Sequence, residues 1–235
     1  MYRPNRTMSA LITTSVAAMA LSGCGGGGSD SSIDRVTVRS VNTIPDGGTS
    51  TQLVNGVSLA QQNYFSASAY QPVATGLDNL TFTLSGKPGV TYPTQTSTLT
   101  GPKYSAILFG LANASVAAKS PQLAVVSDTD ITVPDNSIRI RFAQAAPDAP
   151  TANFLLNLPA TTEATASAAY ATVSGYQTAT AGTYAIQVNS ASDGTSLASN
   201  ASITFSSGHH YTVFLSESSA TPTPTYSVQY LDDGT

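Results

Sequence analysis

Two copies of one pattern, offset by about 102 residues, constrain this chain more than any other feature of it. Val36-Thr37-Val38-Arg39 followed by Pro45-Asp46 matches Ile138-Arg139-Ile140-Arg141 followed by Pro147-Asp148. Tyr70-Gln71 and Gly76 match Tyr176-Gln177 and Gly182, and Leu80, Phe82 and Leu84 match Tyr184, Ile186 and Val188. Further on, Gly101 to Tyr104 matches Gly208 to Tyr211, and Leu123 to Asp130 matches Tyr226 to Asp233. A period of roughly 100 residues is too long for the unit of a solenoid. It fits one whole domain, duplicated, and the drift in offset is what loops of unequal length produce.

Within each copy the apolar residues alternate. Ile138, Ile140 and Phe142 point one way while Arg139 and Arg141 point the other, as in a strand with one buried face. Similar runs lie at Ala152 to Leu158, Tyr184 to Val188, Ala201 to Phe205, Tyr211 to Leu215 and Tyr226 to Tyr230, separated by Gly, Pro, Asn and Asp. About seven short strands in roughly 100 residues match the strand count of an immunoglobulin-like sandwich. The expected fold is all-β, with two tandem immunoglobulin-like β-sandwich domains at 34–134 and 135–235. With no tryptophan and one cysteine in the chain, neither copy can be an antibody-type domain with its disulfide. Residues 160–169 and 58–69 are expected to hold a turn of helix.

The N-terminal end reads differently. Arg3 and Arg6 precede an apolar run from about Ala10 to Leu21, followed by Ser22, Gly23 and the single cysteine, Cys24. That order resembles a bacterial lipoprotein signal. The resemblance implies a signal peptide over 1–23 and lipidation of Cys24, which makes the membrane a partner through that residue. The apolar run falls short of the ~20 residues that span a bilayer. Residues 24–33, glycine- and serine-rich, read as a flexible tether. An aspartate after the cysteine often marks inner-membrane retention in such lipoproteins. Gly25 stands there instead, so the resemblance favours the outer membrane, on its periplasmic side or at the cell surface.

Removing the signal leaves seven basic against thirteen acidic residues, which argues against nucleic acid as a partner. Charged residues make up 9% of the chain against about 25% in ordinary domains, so the surface is built from hydroxyls and amides.

Ile138 to Pro150, with Val173-Ser174-Gly175-Tyr176-Gln177 and Ala181-Gly182-Thr183-Tyr184 downstream, resembles a family of uncharacterised bacterial extracytoplasmic domains. That family shows a strand ending in a His-Ala-Ser-Pro-Asp-Ala-Pro-like turn, then Gly-Tyr and Ala-Gly-Thr-Tyr segments. The likeness covers most of 137–232 and is weaker over 35–130; Gln144 stands where the family often has histidine. It implies a β-sandwich outside the cytoplasm, frequently in tandem and lipid-anchored, and carries no activity with it.

Candidate chemistry is sparse. Asp46 and Asp148 occupy matching turns, where a carboxylate accepting a backbone N–H two residues on shapes the chain. Calcium needs six or more oxygens, and each turn offers one acid. Arg39 and Arg141 sit on the strand face opposite the core stripe, where they either lie on the surface, pair with an acid such as the turn aspartate, or fork onto an anion. His209 and His210, as strand neighbours, point apart and cannot easily grip one metal. Glu163 and Glu217 are the only glutamates, and no nucleophile elbow, zinc motif or phosphate loop is present. We therefore expect no catalytic or metal-binding residues and no cofactor. Tyr64, Tyr70, Tyr92, Tyr170 and Tyr176 are candidates for stacking on sugars, with Tyr70 and Tyr176 more readily core or corner residues. The expected function is a non-catalytic, lipid-anchored envelope protein with an envelope protein or glycan as partner. The alternatives are an extracytoplasmic hydrolase whose site forms only in three dimensions and a glycan-binding adhesin.

Overall fold

Alternating apolar and polar residues become strands almost throughout the computed structural model, which describes residues 35–128, 132–158, 161–218 and 223–234. The segments expected to be a signal peptide (1–23) and a tether (24–33), with Cys24, lie outside the described residues. The first copy contains β1 (Arg35–Asn42), β2 (Ser50–Val54), β3 (Val57–Gln62), β4 (Ser66–Ala67), β5 (Gln71–Ala74), β6 (Gly76–Leu84), β7 (Gln95–Leu99), β8 (Lys103–Phe109) and β9 (Gln122–Ser127). The second contains β10 (Ser137–Gln144), β11 (Ala152–Asn157), β12 (Thr162–Ala168), β13 (Gln177–Thr180), β14 (Gly182–Ser190), β15 (Ser196–Phe205), β16 (His210–Glu217) and β17 (Tyr226–Gly234).

Each copy is a β-sandwich of two sheets. The outer sheets run β3-β2-β6-β7 and β12-β11-β14-β15, antiparallel throughout. The inner sheets run β4-β1-β8-β9, with β5 also on β1, and β13-β10-β16-β17. β1 pairs parallel with β8, and β10 with β16, so the duplication extends to strand direction. The segments expected to hold helical turns are β3 with β4 and β12 instead. In β12 the small residues Ala164 and Ala168 alternate into the core, a period of two rather than 3.6.

Strand pairing also corrects the alignment of the copies. Gly76 opposes Leu99 as Gly182 opposes Phe205, so Leu80 corresponds to Ile186, and Asp78 to Tyr184. Likewise Ser105 opposes Val126 as Thr212 opposes Leu231, so Asp128 corresponds to Asp233. Both shifts are two residues, which preserves strand alternation and so leaves no trace in the hydrophobic pattern.

The core of the second copy is one apolar cluster built around Ile140, Phe154, Ile186, Val213 and Leu215. In the first copy the apolar residues divide into one cluster around Val38, Leu80 and Ala106 and another around Ile44, Phe82 and Leu108. Gln52 stands fully buried in that copy where Phe154 stands in the second.

The inner sheets differ from the outer ones in having two buried faces. From Arg39 onward every residue of β1 is buried, as is every residue of β16 after His210, whereas β2 and β14 alternate. A strand buried on both faces needs a layer on each side. The second layer is the other copy: a third cluster joins Val41, Ile107 and Phe109 of the first to Ala143, Ala145 and Phe214 of the second. Phe65 meets Phe214 edge-on, ring centroids 5.3 Å apart.

At the end of β8 the backbone turns at Gly110 with φ +121, where a Cβ would stand 2.8 Å from Pro121 Cα and the Ser120 carbonyl oxygen. Neither backbone group can move aside. Gly110→Ala is therefore expected to lower stability by about 1–3 kcal/mol, seen as a lower urea midpoint at unchanged m-value.

A buried charge lattice between the copies

The arginines that face away from each sandwich core do not reach solvent. Arg39 and Arg141 are 3% and 1% exposed, because the second copy covers the face that the first leaves open. Asp128 and Asp233, just after β9 and near the end of β17, meet them there. Two ion pairs cross between the copies: Arg39 with Asp233, and Arg141 Nη2 with Asp128 Oδ1 at 2.6 Å. Two longer contacts stay within a copy, Arg39 Nε to Asp128 Oδ2 at 3.8 Å and Arg141 Nη2 to Asp233 Oδ2 at 3.7 Å.

Hydroxyls complete the lattice in the same way on each side. Arg39 Nε donates to Ser105 Oγ at 2.7 Å, and Ser105 Oγ donates to Asp128 Oδ2 at 2.5 Å. Arg141 Nε donates to Thr212 Oγ1 at 2.8 Å, which donates to Asp233 Oδ2 at 2.5 Å. Tyr70 and Tyr176 donate to those same carboxylate oxygens at 2.9 and 2.8 Å. Their rings lie under the guanidinium groups, 5.2 Å from Arg39 and 4.5 Å from Arg141. Two positive and two negative charges thus compensate one another, and Oδ2 of each aspartate accepts from two neutral hydroxyls.

The electrostatics hold Arg39, Tyr70 and Tyr176 each in one protonation state. Burial alone would lower the Arg39 pKa, but Asp233, Tyr70 and Asp128 together hold it above its ordinary value. Burial pushes the Tyr70 and Tyr176 phenols well above their usual range; the arginine over each ring opposes the shift and the neighbouring carboxylates add to it. Such groups hold structure and do not exchange protons near neutral pH.

A second polar contact lies nearby. Glu217, 2% exposed, accepts the Asp148 N–H on Oε2 at 2.9 Å, while Lys119 of the first copy pairs with the Asp148 carboxylate. Burial pushes the Glu217 carboxyl up to about 7 from 4.5, with Lys119 opposing and Asp46 adding to the rise.

The expected sites take different places from those anticipated. Asp46 is not seen to accept the N–H two residues on, and for Asp148 that residue is Pro150, which has none; Asn42 and Gln144 accept such a bond instead, from Ile44 N–H at 3.0 Å and Ala146 N–H at 2.6 Å. They lie two residues before the N–H groups they cap, the spacing an Asx-type turn requires. Asp46 instead accepts the N–H groups of Ala112 and Asn113, at 2.7 and 2.8 Å. Arg39 and Arg141 pair with Asp128 and Asp233 rather than with the turn aspartates. His209 meets Asp232 at 2.9 Å, and His210 Nδ1 lies 3.4 Å from the Gly234 carbonyl with its ring edge-on to Tyr176. Among the described residues no group of three or more His, Cys, Asp or Glu side chains could hold a metal. The five candidate tyrosines form no open stacking face: Tyr92 is buried against Phe82, and Tyr64, Tyr70, Tyr170 and Tyr176 are half-buried at or near the contact between the copies. Among the described residues, no helix is long and apolar enough to cross a membrane.

Removing one member of a buried ion pair leaves its partner uncompensated. Asp233→Ala, which removes the close partner of Arg39 and the longer contact of Arg141, is expected to cost on the order of 3–5 kcal/mol. Equilibrium denaturation of the single variants and the Arg39→Ala/Asp233→Ala double variant measures it, with strong non-additivity expected. For Glu217 the folded chain holds the proton more tightly than the unfolded one. Its contribution to stability is thus complete below about pH 4.5 and is lost as pH rises through about 7. The Tm is expected to fall across that window, and Glu217→Gln to flatten this part of the slope.

A family model described as Domain of unknown function (DUF4397) matches residues 36–155 and again residues 139–233. None of the curated proteins matches the chain.

Proposed function

A chain matched in this way belongs to the family of the domain of unknown function DUF4397, and on that premise we propose that it is a non-catalytic, lipid-anchored protein of the bacterial envelope. It displays its paired sandwiches there for binding or for envelope structure. The observation that carries this reading is where the charged groups lie. Arg39, Arg141, Asp128 and Asp233 face one another in the interior and hold two copies together, so these four charged side chains serve as scaffold. The order of basic leader, apolar run and Cys24 supports the anchor, and Gly25 after it supports the outer membrane as the destination. Two or more acyl chains on one cysteine give stable anchoring, since each buried methylene contributes ~0.8 kcal/mol.

Labelling cells with a radioactive fatty acid tests the anchor. The wild-type chain is expected to take up label and fractionate with membranes, and Cys24→Ser to lose the label and leave the membrane fraction. A labelled Cys24→Ser protein would overturn the anchor.

A further inference from the structure

The two copies diverge at one end of their cores, and the divergence opens a groove in the first. In the second copy Tyr184 fills that end, 1% exposed, with its ring 6.1 Å from Phe205 and its hydroxyl donating to the Thr180 carbonyl at 2.5 Å. Gln177 then ties β13 to β12 by donating to the Thr165 carbonyl at 2.7 Å. The first copy has Asp78 in place of Tyr184, and among the described residues no bond from Gln71, the equivalent of Gln177, closes β5 onto β3. A groove of about 370 Å³ remains, walled by Val54, Leu59, Pro72 and Val73 with Val57 at its rim.

Asp78 lines this groove from a core-facing position of β6 and is 3% exposed. Its Oδ1 accepts from Asn55 Nδ2 at 2.6 Å. Asn55 is itself fixed: it stands at φ +50 in the Asn55-Gly56 hairpin turn, and its Oδ1 accepts the Asn79 N–H at 2.9 Å. Asp78 Oδ2 is buried and has no hydrogen-bond partner among the described residues. A carboxylate oxygen withdrawn from water without a donor is costly, and a core residue that large and apolar in the sister copy has no packing reason to be an acid here.

We propose that the first copy binds a small organic ammonium through this groove. The ammonium N–H groups engage Asp78 Oδ2, and an apolar substituent lies against Val54, Leu59 and Val73. The volume falls in the range of small-molecule sites, which are mostly apolar with a few fixed polar groups. An ammonium supplies both a donor and the compensating charge, a pairing about twice as strong as a neutral one. Among the described residues no Lys or Arg lines the groove to compete for the carboxylate, and the chain's net charge of -4 favours a cation. The site rests on the fold of the first copy alone and not on the lipid anchor, so the two readings fail separately.

Calorimetric titration of the full chain with hexylammonium tests the proposal, with hexanol and hexanoate as the neutral and anionic counterparts. Saturable one-site binding of hexylammonium is expected, with hexanol and hexanoate at least tenfold weaker. Asp78→Asn is expected to weaken hexylammonium at least tenfold, and Asp78→Tyr, which restores the residue of the second copy, to abolish binding. Where either variant fails to fold by circular dichroism, Val73→Trp blocks the groove from its wall and is expected to abolish binding while leaving the carboxylate in place. Amide shifts on titration are expected over 54–59 and 71–78. Equal affinity for hexanol, undiminished binding by folded Asp78→Asn, shifts centred elsewhere, or no saturable binding would each overturn it.

Discussion

The structure depends on the crossed pairing of Arg39 with Asp233 and of Arg141 with Asp128. Each inner sheet has one face on its own sandwich core and one that would otherwise carry arginine, hydroxyls and a carboxylate into water. Bringing these faces together removes four charges from solvent, and the desolvation cost offsets much of the Coulombic gain. The apolar contacts around Val41, Ile107, Ala143 and Phe214 supply the non-directional attraction instead. What the charges add is orientation: each carboxylate has to face a guanidinium of the opposite copy while accepting its own Ser or Thr hydroxyl. Sliding one sheet over the other by a residue pair would strand at least one charge, so the lattice selects one docking among the many that the apolar patch allows.

The left-handed residue after the second outer strand follows from the same geometry. Phe65 and Ala171 occupy equivalent positions at φ +51 and +58, and each donates its N–H to the carbonyl of the equivalent residue, Asn42 or Gln144. A positive φ is uncommon for either residue, yet both copies keep it, because it turns the chain across the end of the inner sheet toward the opposite copy. Phe65 then meets Phe214, while Ala171 and Ile107 occupy the equivalent places in the same cluster. A large pair on one side is thus matched by a smaller pair on the other.

Much of the fold was legible because it is local. Period-two runs such as Ile138-Arg139-Ile140-Arg141 mark strands, and the arginine–proline–aspartate register marks duplication. The lattice was not legible for a different reason. Alternation says that Arg39 and Arg141 leave their own core, but it carries no information about what covers the opposite face, since two domains that touch and two that do not show the same pattern. Asp128 was further hidden by a two-residue misalignment against Asp233, which alternation cannot detect. The helical turns expected over 58–69 and 160–169 failed because runs of Ala, Ser and Thr have little apolar contrast, so a period of two and one of 3.6 look alike.

Fusion of the two copies into one chain also explains how they came to differ. In a dimer of identical chains every residue appears on both sides of the axis, so Asp78 could not coexist with Tyr184, nor Gln52 with Phe154. A single chain lifts that restriction while keeping the polar lattice, whose members still correspond: Arg39 with Arg141, Tyr70 with Tyr176, Ser105 with Thr212, Asp128 with Asp233. Divergence also reaches the sandwich cores, at Gln52 and Asp78. The second copy keeps one continuous apolar core with aromatic rings at its end, and its burial holds that half of the structure in place. The first copy has Gln52 and Asp78 where the second has Phe154 and Tyr184, each with a buried oxygen that has no partner among the described residues, and the lattice ties that copy to a neighbour with a continuous apolar core.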